Sequence, residues 1–165
     1  MKCNLGILFI AVSLLFSCST DENNEIDNAD ENPIEGTWRA SEFQAADPNN
    51  SNVNLGAEIL ANLTAEECYI LSFTFNKDLT LIAENAANYL EINATPTGLD
   101  VPCPTQKDTD MGTYTYDGAT LTTVDQNGTT VTVKVTIDGN TMTADAADLN
   151  IPNFDGDGSL IFIKK

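Results

Sequence analysis

Residues 69–83, YILSFTFNKDLTLIA, decide the fold. Tyr69, Leu71, Phe73 and Phe75 fall on one side of a period of two, and Ile70, Ser72 and Thr74 on the other. Successive side chains of a strand point to opposite faces, so this alternation predicts a strand with one buried face. Asn76-Lys77-Asp78 supplies turn residues, and Leu79, Leu81 and Ala83 carry the apolar positions back along a second strand.

The same pattern recurs downstream. Gly112 to Tyr116 runs into Asp117-Gly118, and Leu121 to Val124 runs into Gln126-Asn127-Gly128. Asp-Gly and Asn-Gly between alternating runs are strong hairpin signals. Val131, Val133, Val135 and Ile137 then share one face, with Thr132, Lys134 and Thr136 on the other. Asp138-Gly139-Asn140 turns the chain into Thr141 to Ala144, and Ser159 to Ile163 forms the closing strand before Lys164-Lys165. Upstream, Gly36 to Phe43 reads as the first strand, and Tyr89 to Ile92 as one more after the first hairpin. About eight strands joined mostly by tight turns make an antiparallel up-and-down meander, which removes its open edges by closing into a barrel. The expected fold class is therefore all-β, with a single short helix.

That helix falls between the first strand and the hairpin. Ala45 to Asn54 is rich in Asn, Asp, Pro and Ser and reads as loop. Leu55, Ile59, Leu60 and Leu63 follow at helical spacing, with Asn54 placed to cap a helix that ends near Cys68. Its apolar face is expected to pack on the core. Pro96 to Thr105 holds three prolines and reads as a long loop pinned by Cys103.

The N-terminus has a different character. Met1-Lys2 gives a basic start and Leu5 to Phe16 an apolar run. About a dozen residues cannot cross a hydrocarbon layer of ~30 Å as a helix, and the order of basic then apolar is that of a secretory signal. Leu15-Phe16-Ser17-Cys18 resembles the lipobox of bacterial lipoproteins. The resemblance implies cleavage before Cys18, acylation there, and the lipid bilayer as partner, each buried methylene contributing about 0.8 kcal/mol. An ordinary signal peptide with an incidental cysteine is the alternative. Residues 19–32, STDENNEIDNADEN, have nothing to bury and are expected to form a charged, disordered tether. Ser19, Asp21 and Glu22 resemble the surface-export signal of lipoproteins from the Bacteroidetes group. The expected organisation is a signal peptide over 1–17, a tether over 18–33 and a barrel over 34–165. The expected location is the outer membrane of a Gram-negative cell, facing outward if the export signal operates.

Charge and residue types narrow the chemistry. Lys plus Arg number 7 against 25 Asp plus Glu, a net charge of -18. Such a surface repels phosphate backbones and anionic headgroups, so nucleic acid is not expected as a partner and membrane attachment must come through lipid. Of the four cysteines, Cys3 leaves with the signal peptide and Cys18 takes lipid. Cys68 and Cys103 remain, a pair that in an exported domain favours a disulfide worth about 4 kcal/mol. Zinc is the alternative, but two cysteines in a chain with no histidine make a poor ligand set. Without histidine, neither a Ser-His-Asp nor a Cys-His arrangement exists. Paired carboxylates suffice for a glycosidase, but most here fall in turns or in the tether. Asn153-x-Asp155-x-Asp157-Gly158 matches the first half of a calcium loop, yet Lys164 holds the twelfth position and a strand follows. It reads as a turn. No catalytic residue, metal site or cofactor is expected.

Glu35-Gly36-Thr37-Trp38 resembles the Gly-x-Trp signature that opens the first strand of lipocalins. Cys68 to Leu81 (CYILSFTFNKDLTL) and Gly112 to Leu121 (GTYTYDGATL) resemble repeats of the bacterial lipocalin-like lipoprotein domain, over roughly residues 34–165. Lys77-Asp78-Leu79 replaces the family's Asp-Gly turn, and Tyr114 stands where tryptophan is common. The resemblance implies that Gly36 and Trp38 are structural, with Lys164 or Lys165 over the tryptophan ring. A barrel of this kind holding a fatty acyl chain or another small hydrophobic ligand would be lined by Leu71, Phe73, Leu81, Tyr114, Val133 and Val135. Small barrels are equally built solid. The alternative is thus a solid interaction or structural lipoprotein with a cell-envelope protein as partner, and an enzyme is the third reading.

Overall fold

The computed structural model describes residues 32–47, 49, 51–96, 98–149 and 157–165, without the side chains of Ser51 and Asn52. The signal peptide, Cys18, the export-signal residues, and Asn153 and Asp155 of the calcium-like string lie outside the described residues. Described strands run in chain order as β1 (Gly36–Ala45), β2 (Leu71–Phe75), β3 (Thr80–Asn85), β4 (Asn93–Thr95), β5 (Gly98–Asp100) and β6 (Asp108–Tyr116). They continue as β7 (Thr120–Asp125), β8 (Thr130–Asp138), β9 (Thr141–Asp145) and β10 (Gly158–Lys164). Helix α1 (Ser51–Ala65) lies between β1 and β2. Eight strands close a barrel in the order β1-β10-β9-β8-β7-β6-β3-β2, all neighbours antiparallel, while β4 and β5 pair as a separate hairpin.

Carboxylate side chains pin the tight turns at both ends of the barrel. Asp117 Oδ1 accepts the N–H groups of Ala119 (3.0 Å) and Thr120 (2.7 Å) in the β6–β7 turn. Asp125 Oδ1 does the same for Asn127 (2.8 Å) and Thr129 (2.7 Å) in the β7–β8 turn. These are the side-chain turns that aspartate favours. Each carboxyl is held below the usual carboxylate range, chiefly by the bond from the Thr120 N–H in one case and from the Thr129 N–H in the other.

Three expectations need correction. Tyr89 to Ile92 is not a strand: Ala87–Tyr89 is a single 3-10 turn, and the barrel wall passes directly from β3 to β6. Asn85 Oδ1 accepts the Ala87 N–H at 2.8 Å and ends the strand there. Helix α1 begins at Ser51, so Asn54 lies inside it and does not cap it. Its barrel-facing stripe is Val53, Ala57 and Leu60, at helical spacing, whereas Leu55 is exposed. Tyr69 precedes β2, and Arg39 stands 4.8 Å above its ring, on the residue that pairs with outward-facing Ser72. Glu67 adopts a left-handed φ of 59°, and the inward alternation starts only at Leu71.

Cys68 and Cys103 form a disulfide with a Cα–Cα separation of 5.9 Å. It ties the segment after α1 to the long β3–β6 connection. A satellite core of Ile59, Leu63 and Cys68 lies there, with Leu90 and Val101 packed against it.

Candidate functional site

The end of the barrel where β1 begins is filled. Trp38 is 0% exposed, and its Nε1 donates to the Ile34 carbonyl at 2.7 Å, which satisfies the one polar group a buried indole carries. Lys164 Nζ sits 5.2 Å from the tryptophan ring centroid and donates to the Pro33 carbonyl at 3.2 Å. Lys164, not Lys165, therefore fills the place over the ring. Gly36 is required beside it, because a Cβ there would stand 2.9 Å from the Lys164 side chain at a φ of 111°. Tyr114, where tryptophan is common, is buried and donates its hydroxyl to the Asn76 carbonyl at 2.9 Å. Burial raises its pKa, with Glu35 and Asp78 adding to the effect.

Aromatic rings form a layer above this floor. Phe162 lies 5.6 Å from Phe73, Phe73 lies 6.3 Å from Phe75, and Phe75 meets Tyr114 edge-on at 4.9 Å. Towards the other end the interior divides. On the β1 and β10 side, Phe43, Leu60, Leu71 and Leu160 are buried together. On the β3, β6, β7 and β8 side there is a cavity of about 210 Å³.

Small side chains make that cavity. Register places Ala83 opposite Phe73, Gly112 opposite both Leu81 and Asp125, and Thr123 opposite Val131, all on the inward face. Ala144 faces it from β9. Glycine is needed at 112, where a Cβ would collide with the Val124 carbonyl oxygen of the neighbouring strand. The close approach of β6 and β7 thus leaves a hole on the inward face. The lining is mostly apolar (Phe75, Leu121, Val131 and Met142 contribute), with Thr123 on the wall and Asp110 and Asp125 towards the end where β6 begins.

Of the six lining residues expected from the sequence, Phe73, Leu81, Val133 and Val135 line the cavity. Leu71 and Tyr114 face inward but belong to the packed regions. Sequence reasoning missed Ala83, Gly112 and Ala144 as lining, because small residues carry no hydrophobic signal. It missed Asp110 and Asp125 as well. Continuing the Gly112–Tyr114 alternation backward and the Leu121 alternation forward would have put both inside. On the outer face, Ser72 donates to Glu84 at 3.2 Å, and Lys107 pairs with Glu84 at 2.6 Å. That contact with Lys107 chiefly holds the Glu84 carboxyl below its ordinary range. Among the described residues no cluster of three or more His, Cys, Asp or Glu fits a metal ion, and no helix is long and apolar enough to cross a membrane.

A closed antiparallel barrel with a Gly-x-Trp opening strand and a helix before its second strand agrees with a sequence match: the model of the lipocalin-like domain matches residues 34–144. The chain belongs to the lipocalin-like domain family. Two solved structures resemble this lipocalin-like protein in chain course. One is a lipocalin-like protein from Bacteroides uniformis, at 16% identity and a TM-score of 0.42, covering 81% of this chain and 100% of that one. The other is an uncharacterized protein from Bacteroides eggerthii, at 12% identity and 0.40, covering 79% and 98%. No curated protein matches the chain.

Proposed function

We propose that this lipocalin-like protein is an exported lipoprotein, anchored in the outer membrane through acylated Cys18, whose barrel binds a small apolar ligand without turning it over. The cavity of about 210 Å³ among Phe73, Leu81, Val131 and Val133 carries the reading. A dry apolar cavity of about 150 Å³ is enough to take up benzene, so a single ring or a short alkyl chain suits this space. A full fatty acyl chain needs the few hundred cubic ångströms of larger sites. The ligand is therefore smaller than the resemblance implies. Binding without catalysis is supported by the chain's lack of histidine and by the bonding of Cys68 to Cys103.

Saturable uptake of a single-ring hydrocarbon such as toluene, followed by calorimetry, tests the cavity. Val133→Phe should abolish it while the protein stays folded, since Val133 is 1% exposed and lines the space. No uptake by the wild type sinks the binding reading in favour of an interaction lipoprotein, which the densely packed Trp38 end would also suit. For the anchor, Cys18→Ala should release the protein from membranes, and full retention would contradict it.

A further inference from the structure

We propose that the cavity selects amphiphiles with a cationic end group, a short alkyl- or aryl-amine, over a neutral or a carboxylate ligand of the same body. The inference rests on the reading of the cavity as a ligand site and adds the charge of what enters it.

The wall of the cavity carries two charged residues, Asp110 and Asp125, and no lysine or arginine. Both aspartates are placed by register. Asp110 pairs with Ala83, and Asp125 pairs with Gly112, so each stands beside a small residue that leaves the cavity open. The Asp125 carboxyl is kept ionised by the backbone N–H groups it accepts. Thr123, one inward position deeper than Asp125 on the same strand, offers a hydroxyl. A ligand with its apolar part against Val131 and Val133 has its polar end among these three side chains.

The chain's other charges reinforce this arrangement. Lys77 is in the β2–β3 turn, Lys134 pairs with Thr120 at the start of β7, Lys164 ends β10 and Lys165 follows it. All of these belong to the Trp38 end. Arg39 stands on the outer face over the Tyr69 ring, off the cavity wall, and Lys107, at the cavity end, is bound to Glu84. Asp108 at the start of β6, Asp145 at the end of β9, Asp148 beyond it and Asp157 before β10 bring only negative charge to the cavity end. A carboxylate ligand there loses water and meets like charge with no compensating cation, whereas an amine meets complementary charge. Charge at the rim thus rejects free fatty acids as well as attracting amines.

Calorimetric titration of the full chain with hexylamine, hexanol and hexanoate at low salt tests the idea, the three differing only in the end group. Hexylamine should bind about fivefold more tightly than hexanol, an effect the size of partly exposed ion pairs, and hexanoate more weakly than either. In Asp110→Asn/Asp125→Asn the amine-to-alcohol ratio should fall to about one, asparagine keeping the turn acceptor at 125. Should that variant not fold, Asp110→Asn alone should lower the ratio. Ala83→Leu should remove saturable amine binding, which separates the cavity from adsorption on the acidic surface. Equal wild-type affinity for amine and alcohol, or a ratio that the asparagine variants leave unchanged, overturns the proposal while the cavity reading stands. Failure of all three ligands to bind overturns the cavity reading itself.

Discussion

Trp38 on β1 and Gly112 on β6 are both inward positions of one barrel, yet one fills its end and the other leaves a hole. At the Trp38 end the inward places carry mostly large side chains, and Trp38, Tyr114 and Phe162, none of which lines the cavity, are all 2% exposed or less. Towards the other end, the β3 to β8 wall carries Ala83, Gly112 and Thr123 at the equivalent places. The alternating pattern is the same in both regions, so alternation sets which face is inward and side-chain volume sets whether the inside is solid. Protein interiors otherwise pack as densely as organic crystals, which makes a grouped set of small residues the informative departure.

The largest effect that can break this comparison is at the packed end. Trp38→Ala removes a fully buried indole and its bond to the Ile34 carbonyl, and should cost about 3–5 kcal/mol in denaturant unfolding. A loss below about 1 kcal/mol would mean that the floor is not packed as described.

A matched pair of substitutions sharpens the contrast. Ala40 and Ala83 are both inward alanines, the first 1% exposed opposite Phe162 and the second on the cavity wall. Ala40→Leu should overpack and cost about 1–3 kcal/mol, whereas Ala83→Leu should fill existing space and change stability by less than about 1 kcal/mol. Equal costs at the two sites would erase the distinction between the ends.

The smallest effect concerns the turns, where the two ends are alike. Asp117 and Asp125 each have a folded pKa lowered below the unfolded value by backbone N–H donors. Their stabilisation is present above the unfolded pKa of about 3.9 and is lost as pH falls through the folded value. Asp117→Asn and Asp125→Asn should each be less stable than the wild type at pH 7 by a similar small amount, and the difference should vanish at strongly acid pH. A difference that persists there, or that appears in one variant alone, would show that the turns are not held equivalently.

Much of the barrel was legible in the sequence because hairpin turns and period-two runs are local signals. Asp117-Gly118, Asn127-Gly128 and the Val131–Ile137 run each announce a strand boundary or face within a few residues. The Cys68–Cys103 bond was legible by elimination, once Cys3 and Cys18 are assigned to the expected leader and lipobox. What failed was decided by contacts or geometry outside the local pattern. Tyr89 to Ile92 looks apolar enough for a strand, but Asn85 turns the chain away before it. Helix α1 starts early because Val53 has a place on the barrel, which spacing from Leu55 onward does not reveal. The candidate site was half legible. Large lining residues such as Phe73 and Val133 advertise themselves, whereas a void is made by what Ala83 and Gly112 lack. Gly112 reads as an ordinary strand glycine until the Val124 carbonyl beside it is known.

The central claim is that the space on the β3 to β8 side is a cavity a small apolar molecule enters. Methyl-resolved NMR during titration of the full chain with toluene tests it most directly. The account predicts saturable shifts at the methyls of Ala83, Val131, Val133 and Ala144, with Ile34 and Ala40 at the packed end unmoved. Absence of saturable shifts at those four residues, or shifts spread equally over the Trp38 end, would contradict it.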